Sequence, residues 1–250
     1  LSDSLDLYPD SHAHLLRQHP LVVARKLLCL PAQARRLRQS HRPHYQDADN
    51  LTNGFVAFAV APEDLRSLVG AAGSWGVTLN DLLIALLMKS LSPCAATRAQ
   101  GPRRRKISVG CIVNLRKDAG ADRRRAFGVF LGSFTVTHEV PVGISLRALA
   151  TDIRRQTSAI KRRKLYLGTS MELALARCAL RFLSPRQRKR FYVKHYPLWA
   201  GITNMNLNFL WEQNAGAGLL DYFRGVSTGP ITPLVLSVTT VGERVNLGPL

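Results

Sequence analysis

Histidine is the side chain best suited to moving protons near neutral pH, and the settings of six of the chain's 7 histidines separate them. His12 and His14 form an H-x-H pair on opposite edges of a short helical stretch; no Asp-Gly follows them, and a metal site would need further ligands that the pattern does not place. His41 and His44 fall in a basic, proline-bearing segment where solvated imidazoles are expected. His138 closes a strand and His195 closes a basic helix, whose negative end accounts for a histidine there. None has the neighbours of a general base. Thr203 and Asn204 pose a different question, because they interrupt an otherwise apolar strand (Ile202, Met205, Leu207, Phe209). Polar groups in such a strand need a partner, a water or an open cleft. Cys29, Cys94, Cys111 and Cys178 are scattered without C-x-x-C spacing and read as reduced thiols, neither a disulfide framework nor a zinc site.

Other chemistries lack their residues. There is no phosphate-binding GxxxxGK[ST] loop, no glycine-rich dinucleotide fingerprint after a strand, and no GxSxG elbow. The 16 acidic residues are not paired at spacings that suggest a two-carboxylate hydrolase. Against them stand 35 lysines and arginines, giving a formal charge of +19, with basic runs at 35–38, 103–106, 123–125, 161–164 and 186–190. Such a field favours anionic partners, whether coenzyme A, an acidic carrier protein, an anionic membrane surface or nucleic acid. Arginine-rich solvated helix faces would produce the same count. No nucleic-acid-binding motif accompanies the charge, which makes nucleic acid the weakest of these readings.

A chain of 250 residues with 46% hydrophobic content can bury a large core, as one domain or two sub-lobes. No apolar run reaches the roughly 18 residues of a membrane span. The amino terminus has neither the basic nor the apolar region of a signal peptide, so a soluble cytoplasmic protein is expected. Residues 1–8 have helical periodicity up to Pro9, and a second apolar-periodic stretch spans Leu21 to Leu30. The polar segment that follows, through Asn50, reads as a crossover linker or exposed helix. A short strand is predicted at 55–62 and a helix from Glu63 to Trp75. Thr78 and Asp81 have the spacing of a capping box before a helix from Leu79 to Leu91 that is apolar nearly all round, and therefore buried on several sides. Strands at 106–115 and 127–138, a helix from Ile144 to Lys164 and helices at 169–183 and 185–195 follow. The remainder reads as strands at 199–210, 219–227, 232–241 and 243–248. Helices and strands mix without strict alternation, which predicts an α+β layered domain with a mixed sheet and flanking helices.

Several of these segments resemble the carboxyl-terminal lobe of the chloramphenicol acetyltransferase-like acyltransferases, a superfamily that includes condensation domains and wax-ester synthases. LSDSLDLY at the start is similar to the helix that follows the family's HHxxxDG motif. Thr78 to Ala85 (TLNDLLIA) is similar to a TxNDxLLAA helix, and Asn114-Leu115-Arg116 to the end of a PVNLR strand. Phe127 to Gly132 is similar to FGNxxG with Val129 in place of Asn. GITNMNLNF (201–209) occupies the place of the family's SN or TNVPG strand, and residues 227–248 resemble its closing strands. Asp221 and Gly225 alone keep their places in a DFGWG-like frame, where an ion pair of Asp221 with Arg224 or Arg116 is the preferred account.

The resemblance implies that residues 1–50 are the end of an amino-terminal lobe and a crossover linker, and 51–250 the carboxyl-terminal lobe. It implies transfer of an acyl group from a coenzyme A or phosphopantetheine thioester to an alcohol or amine, with no bound cofactor or metal. The second histidine of HHxxxDG, the family's base, is absent from this sequence, so the chain is expected to be inactive alone and to work with a catalytic amino-terminal lobe. A non-catalytic module that kept the fold is the main rival. On the oxyanion side of the tunnel the matching positions are Thr203 and Asn204, with Ser227 and Thr228 as further candidates, although turn chemistry around Gly229-Pro230 explains the latter two equally well. Asn80, Asp81, Asn114, Arg116, Gly128 and Asp221 match motif positions expected to be structural.

Overall fold

The computed structural model describes residues 13–43, 54–96, 103–118, 130–208, 222–226, 228, 232–242 and 244–249. Seven α-helices and six strands appear among them: α1 (Ala13–Gln18), α2 (Pro20–Arg38), β1 (Phe58–Val60), α3 (Pro62–Ser74), α4 (Leu79–Ala96), β2 (Ile107–Asn114), β3 (Leu131–His138), α5 (Leu146–Arg162), α6 (Thr169–Arg181), α7 (Pro185–His195), β4 (Ala200–Asn206), β5 (Val235–Val241) and β6 (Arg244–Pro249). The strands form one mixed sheet in the order β1-β6-β5-β4-β2-β3. Its centre, β2-β4-β5, is parallel, and the outer pairings are antiparallel. The architecture is α+β.

The register gives the sheet two unlike faces. Val109 stands beside Ala200 and Val136, Cys111 beside Ile202 and Phe134, and Leu236 and Val238 continue the row on β5. These residues join Leu82, Ile84, Ala85 and Met88 of α4 and Leu149, Ala150 and Ile153 of α5 in one buried cluster. The alternate residues face the other way. Ser108, Gly110, Thr135, Thr137, Gly201, Thr203, Ser237, Thr239, Asn246 and Gly248 make that face rich in hydroxyls, amides and glycine. Burying it requires hydrogen bonds. Ser40, Ser108 and Thr137 supply some as a chain of hydroxyls, at 2.6 and 2.9 Å.

Helix α4 is the centre of the helical layer. Ile84, Ala85 and Met88 are fully buried, and Leu82 and Leu83 nearly so. Its first turn is fixed by the predicted capping pair. Thr78 N–H donates to Asp81 Oδ2 at 3.0 Å, and Asp81 N–H donates to Thr78 Oγ1 at 3.2 Å. The helix continues past the predicted end at Leu91 to Ala96, with Pro93 inside it. Two caps that the sequence reading did not single out start α5 and α7: Ser145, which accepts from Ala148 N–H, and Ser184, which forms a full capping box with Gln187.

Helix α2 runs unbroken through Pro31 to Arg38, so the described part of the basic segment is helix and not open linker up to that point. The chain beyond it is tied to the sheet: Arg105 and Lys106 N–H groups donate to Gln39 O, and His41 N–H donates to Lys106 O at 2.8 Å. Strand β4 stops at Asn206, short of the predicted 210, because Asn206 Oδ1 accepts Asn208 N–H in an Asx turn. The strand expected over 219–227 is not formed by its described residues. Residues 222–226 instead lie against the polar face, where Asn246 Nδ2 donates to Tyr222 O at 2.9 Å and Ser237 Oγ donates to Arg224 O. The helix predicted over residues 1–8 lies outside the described residues. Among the described residues no single helix is long and apolar enough to cross a membrane.

Candidate functional site

Strand β4 places Thr203 and Asn204 on opposite faces of the sheet. Thr203 pairs across with Ser237 on the polar face and is 8% exposed. Arg224 covers it: one guanidinium nitrogen donates to Thr203 O at 3.1 Å, to Val238 O at 3.3 Å and to Thr203 Oγ1 at 3.4 Å. No described carboxylate pairs with Arg224, its Nε is buried without a partner among the described residues, and burial lowers its pKa from the ordinary arginine value. The guanidinium thus pins the 222–226 segment across the β4–β5 ladder. Asp221, the other half of the expected ion pair, lies outside the described residues, as do Ser227 and Gly128.

Asn204 pairs with Val238 on the helix-bearing face, yet it is exposed. It stands in the carboxyl-terminal half of β4, past the last residue that β4 pairs with β2. The amide makes no hydrogen bond to another described residue. Nearby strand-end amides each have one atom bonded to backbone. Asn114 Oδ1 accepts from Arg116 N–H at 3.0 Å, Asn206 closes the turn at Asn208, and Asn208 Nδ2 donates to Gly242 O at 3.3 Å. Among these described amides Asn204 is exposed with neither its Oδ1 nor its Nδ2 hydrogen-bonded, whereas each of the others has one atom engaged. Thr228 is half-buried.

Of the remaining motif residues, Asp81 and Arg116 make defined contacts. Asp81 is fully buried, with Thr157 Oγ1 donating to Oδ1 at 2.7 Å and Arg154 reaching Oδ2 at 3.5 Å. That ties α4 to α5. Arg116 lies over the Phe130 ring, 4.9 Å from its centre. Asn80 sits half-buried in the first turn of α4.

His41, His138 and His195 lie away from Asn204. His41 bonds Lys106 just before β2, and His138 pairs with Ile107 at the first residue of β2. His195 shares the field of Arg38 and Arg42 beside them. Because β2 and β4 are parallel, these imidazoles gather at the amino-terminal end of strands whose carboxyl-terminal end carries Asn204. Burial and neighbouring cations (Arg104 for His41; Lys194, Arg38 and Arg42 for His195) lower both pKa values, opposite to the helix-end effect expected for His195. His138 is held by Val140 N–H on Nδ1 at 2.9 Å and by Asp152 on Nε2 at 3.3 Å. Burial also pushes the Cys111 thiol far up, and Tyr166, buried beside Asp118, is raised to about 12. Neither is a nucleophile at neutral pH. No group of three His, Cys, Asp or Glu residues able to hold a metal exists among the described residues.

No family model matches the sequence, and no curated protein matches it. Solved structures do. The cyclization-docking bidomain of the EpoB peptide synthetase from Sorangium cellulosum superposes with a TM-score of 0.63 at 12% identity, over 94% of this chain and 45% of that one. The first condensation domain of the calcium-dependent antibiotic synthetase, in complex with a substrate analogue, gives 0.57 at 15% identity, over 95% and 49%. Polyketide synthase associated protein 5 from Mycobacterium tuberculosis gives 0.54 at 12% identity, over 92% and 56%. The chain therefore has the fold found in condensation domains, and it spans about half the length of the structures it matches.

Proposed function

We propose that this chain is the carboxyl-terminal lobe of an acyltransferase of the condensation type, with residues 51–250 as that lobe and residues 1–50 as its connection to an amino-terminal one. It works with a lobe that carries HHxxxDG, and the pair moves an acyl group from a coenzyme A or carrier-protein thioester to an alcohol or amine. The observation that carries the reading is the match of nearly the whole chain to about half of a condensation domain. In this scheme the partner lobe's histidine removes the acceptor's proton, and Asn204 donates a hydrogen bond to the oxyanion that forms as the thioester carbonyl is attacked. The basic surface suits the phosphates of coenzyme A or an acidic carrier protein. Incubation of the 250-residue chain with a panel of acyl-coenzyme A donors and alcohol or amine acceptors, followed by free thiol release, is expected to show no turnover above buffer. Robust turnover that disappears on mutation of one of the chain's own histidines would overturn the half-enzyme reading.

A further inference from the structure

Strand β3 ends the sheet, so one side of its backbone has no strand partner. Two side chains plug that edge. Thr169 Oγ1 accepts Ser133 N–H at 2.7 Å and lies 3.1 Å from Ser133 O. Gln156 takes both groups of Thr137, accepting its N–H at 3.3 Å and donating to its C=O at 3.1 Å. Backbone groups of alternate residues point to the same side of a strand. Thr135, midway between the two plugs, therefore turns its N–H and C=O outward as well, and no described group meets them. In front of it lies a cleft of about 220 Å³ between α2 and α5, lined by Cys29, Gln33 and Arg36 on one wall and by Gln156, Ile160 and Arg163 on the other. Lys26, also in the lining, is neutralised by Glu172 at 2.8 Å. Arg36 and Arg163 have no ion-pair partner among the described residues.

We infer that this cleft binds a short acidic peptide segment in extended conformation, one residue of which exchanges both backbone hydrogen bonds with Thr135 while a carboxylate lies between Arg36 and Arg163. An exposed strand edge is a template for such pairing. The plugs at Ser133 and Thr137 limit the pairing to one residue, and the cleft's size admits a short segment and no longer strand. Two arginines without carboxylates set the sign of the charge. The site is two strands away from Asn204 and does not depend on the acyl-transfer reading.

The test is fluorescence anisotropy with a fluorescein-tagged, amide-capped Val-Asp-Val peptide. Its Val-Lys-Val counterpart and an analogue with the central amide replaced by an ester serve as controls. The acidic peptide is expected to bind saturably, and both controls to bind at least about tenfold more weakly, the scale of a lost charge-assisted hydrogen bond. Arg36→Glu and Arg163→Glu should each weaken binding by a similar factor. Thr135→Pro removes the outward N–H and leaves the ladder to β2 intact, as an edge position permits, and should abolish binding with an unchanged circular dichroism spectrum. Should that variant misfold, the arginine variants and protection of Cys29 from alkylation by bound peptide decide the matter. Equal binding of the acidic and lysine peptides, insensitivity to both arginine variants, or no saturation at millimolar peptide overturns the proposal.

Discussion

Thr203 and Asn204 are adjacent in sequence but do different work, because a strand sends neighbouring side chains to opposite faces. The Thr203 hydroxyl is one of four acceptors gathered by the Arg224 guanidinium, so its loss is felt in folding. Thr203→Val should lower stability by about 0.5–1.5 kcal/mol, read from chemical denaturation, because it removes one weak hydrogen bond and keeps the side-chain volume. Asn204 holds nothing in place. Asn204→Ala should leave the denaturation midpoint unchanged, and in an enzyme completed by the catalytic lobe it should reduce kcat by about 10–1,000-fold, the range for loss of an oxyanion donor. A stability loss at Asn204, or an unchanged kcat, would remove it from the site. The polar pair was visible in the sequence as a break in an apolar strand. Its division of labour was not, because the partner that claims Thr203 sits 21 residues further along the chain. Arg224 donates to the Thr203 and Val238 carbonyls, and Asp221, its expected ion-pair partner, lies outside the described residues.

Among the elements, α4 was the most legible. An apolar run preceded by Thr78 and Asp81 declares both its burial and its start, and the structure shows both. What periodicity could not convey is that Asp81 also serves α5, through Thr157. A capping carboxylate with a second, buried donor is worth more than a cap. Thr78→Ala should cost about 0.5–2 kcal/mol as an ordinary cap loss. Asp81→Ala should cost more, since it also leaves the Thr157 hydroxyl buried without its partner. Leu83→Ala and Ile84→Ala should each cost about 2–5 kcal/mol, because both side chains lie in the tight contact between α4, α5 and the sheet. Equal losses for Thr78→Ala and Asp81→Ala in urea titrations would show that the link to α5 carries no energy. Strand ends were less legible than helix starts. They are set by single side-chain bonds such as Asn206 to Asn208, which leave no trace in alternation.

At the scale of the whole molecule the excess of positive charge has a place as well as a size. Arg38 at the end of α2, Arg42 just after it, Arg104 before β2 and Lys194 at the end of α7 surround His41 and His195. No described carboxylate is bonded to either imidazole. A proton added to His41 gains little, because its Nδ1 is buried with no described partner and Arg104 repels the charge. Both histidines therefore have folded-state pKa values below the ordinary value of about 6.5 that they regain on unfolding. Below that value the unfolded chain binds more protons than the folded one, so folding stability is fully present above about pH 7 and falls as the pH drops through 6.5 towards the folded pKa values. Thermal melts between about pH 7.5 and 5.5 should show a steadily falling Tm, and the fall should lessen in high salt, which screens the surrounding arginines and lysine. His41→Asn combined with His195→Asn should flatten the pH profile over that window while leaving the pH 7.5 Tm close to that of the parent. A parent Tm that holds level down to pH 5.5, or a double variant that follows the parent's slope, would show that this cluster of cations imposes no cost on its histidines and that the chain's acid sensitivity arises elsewhere.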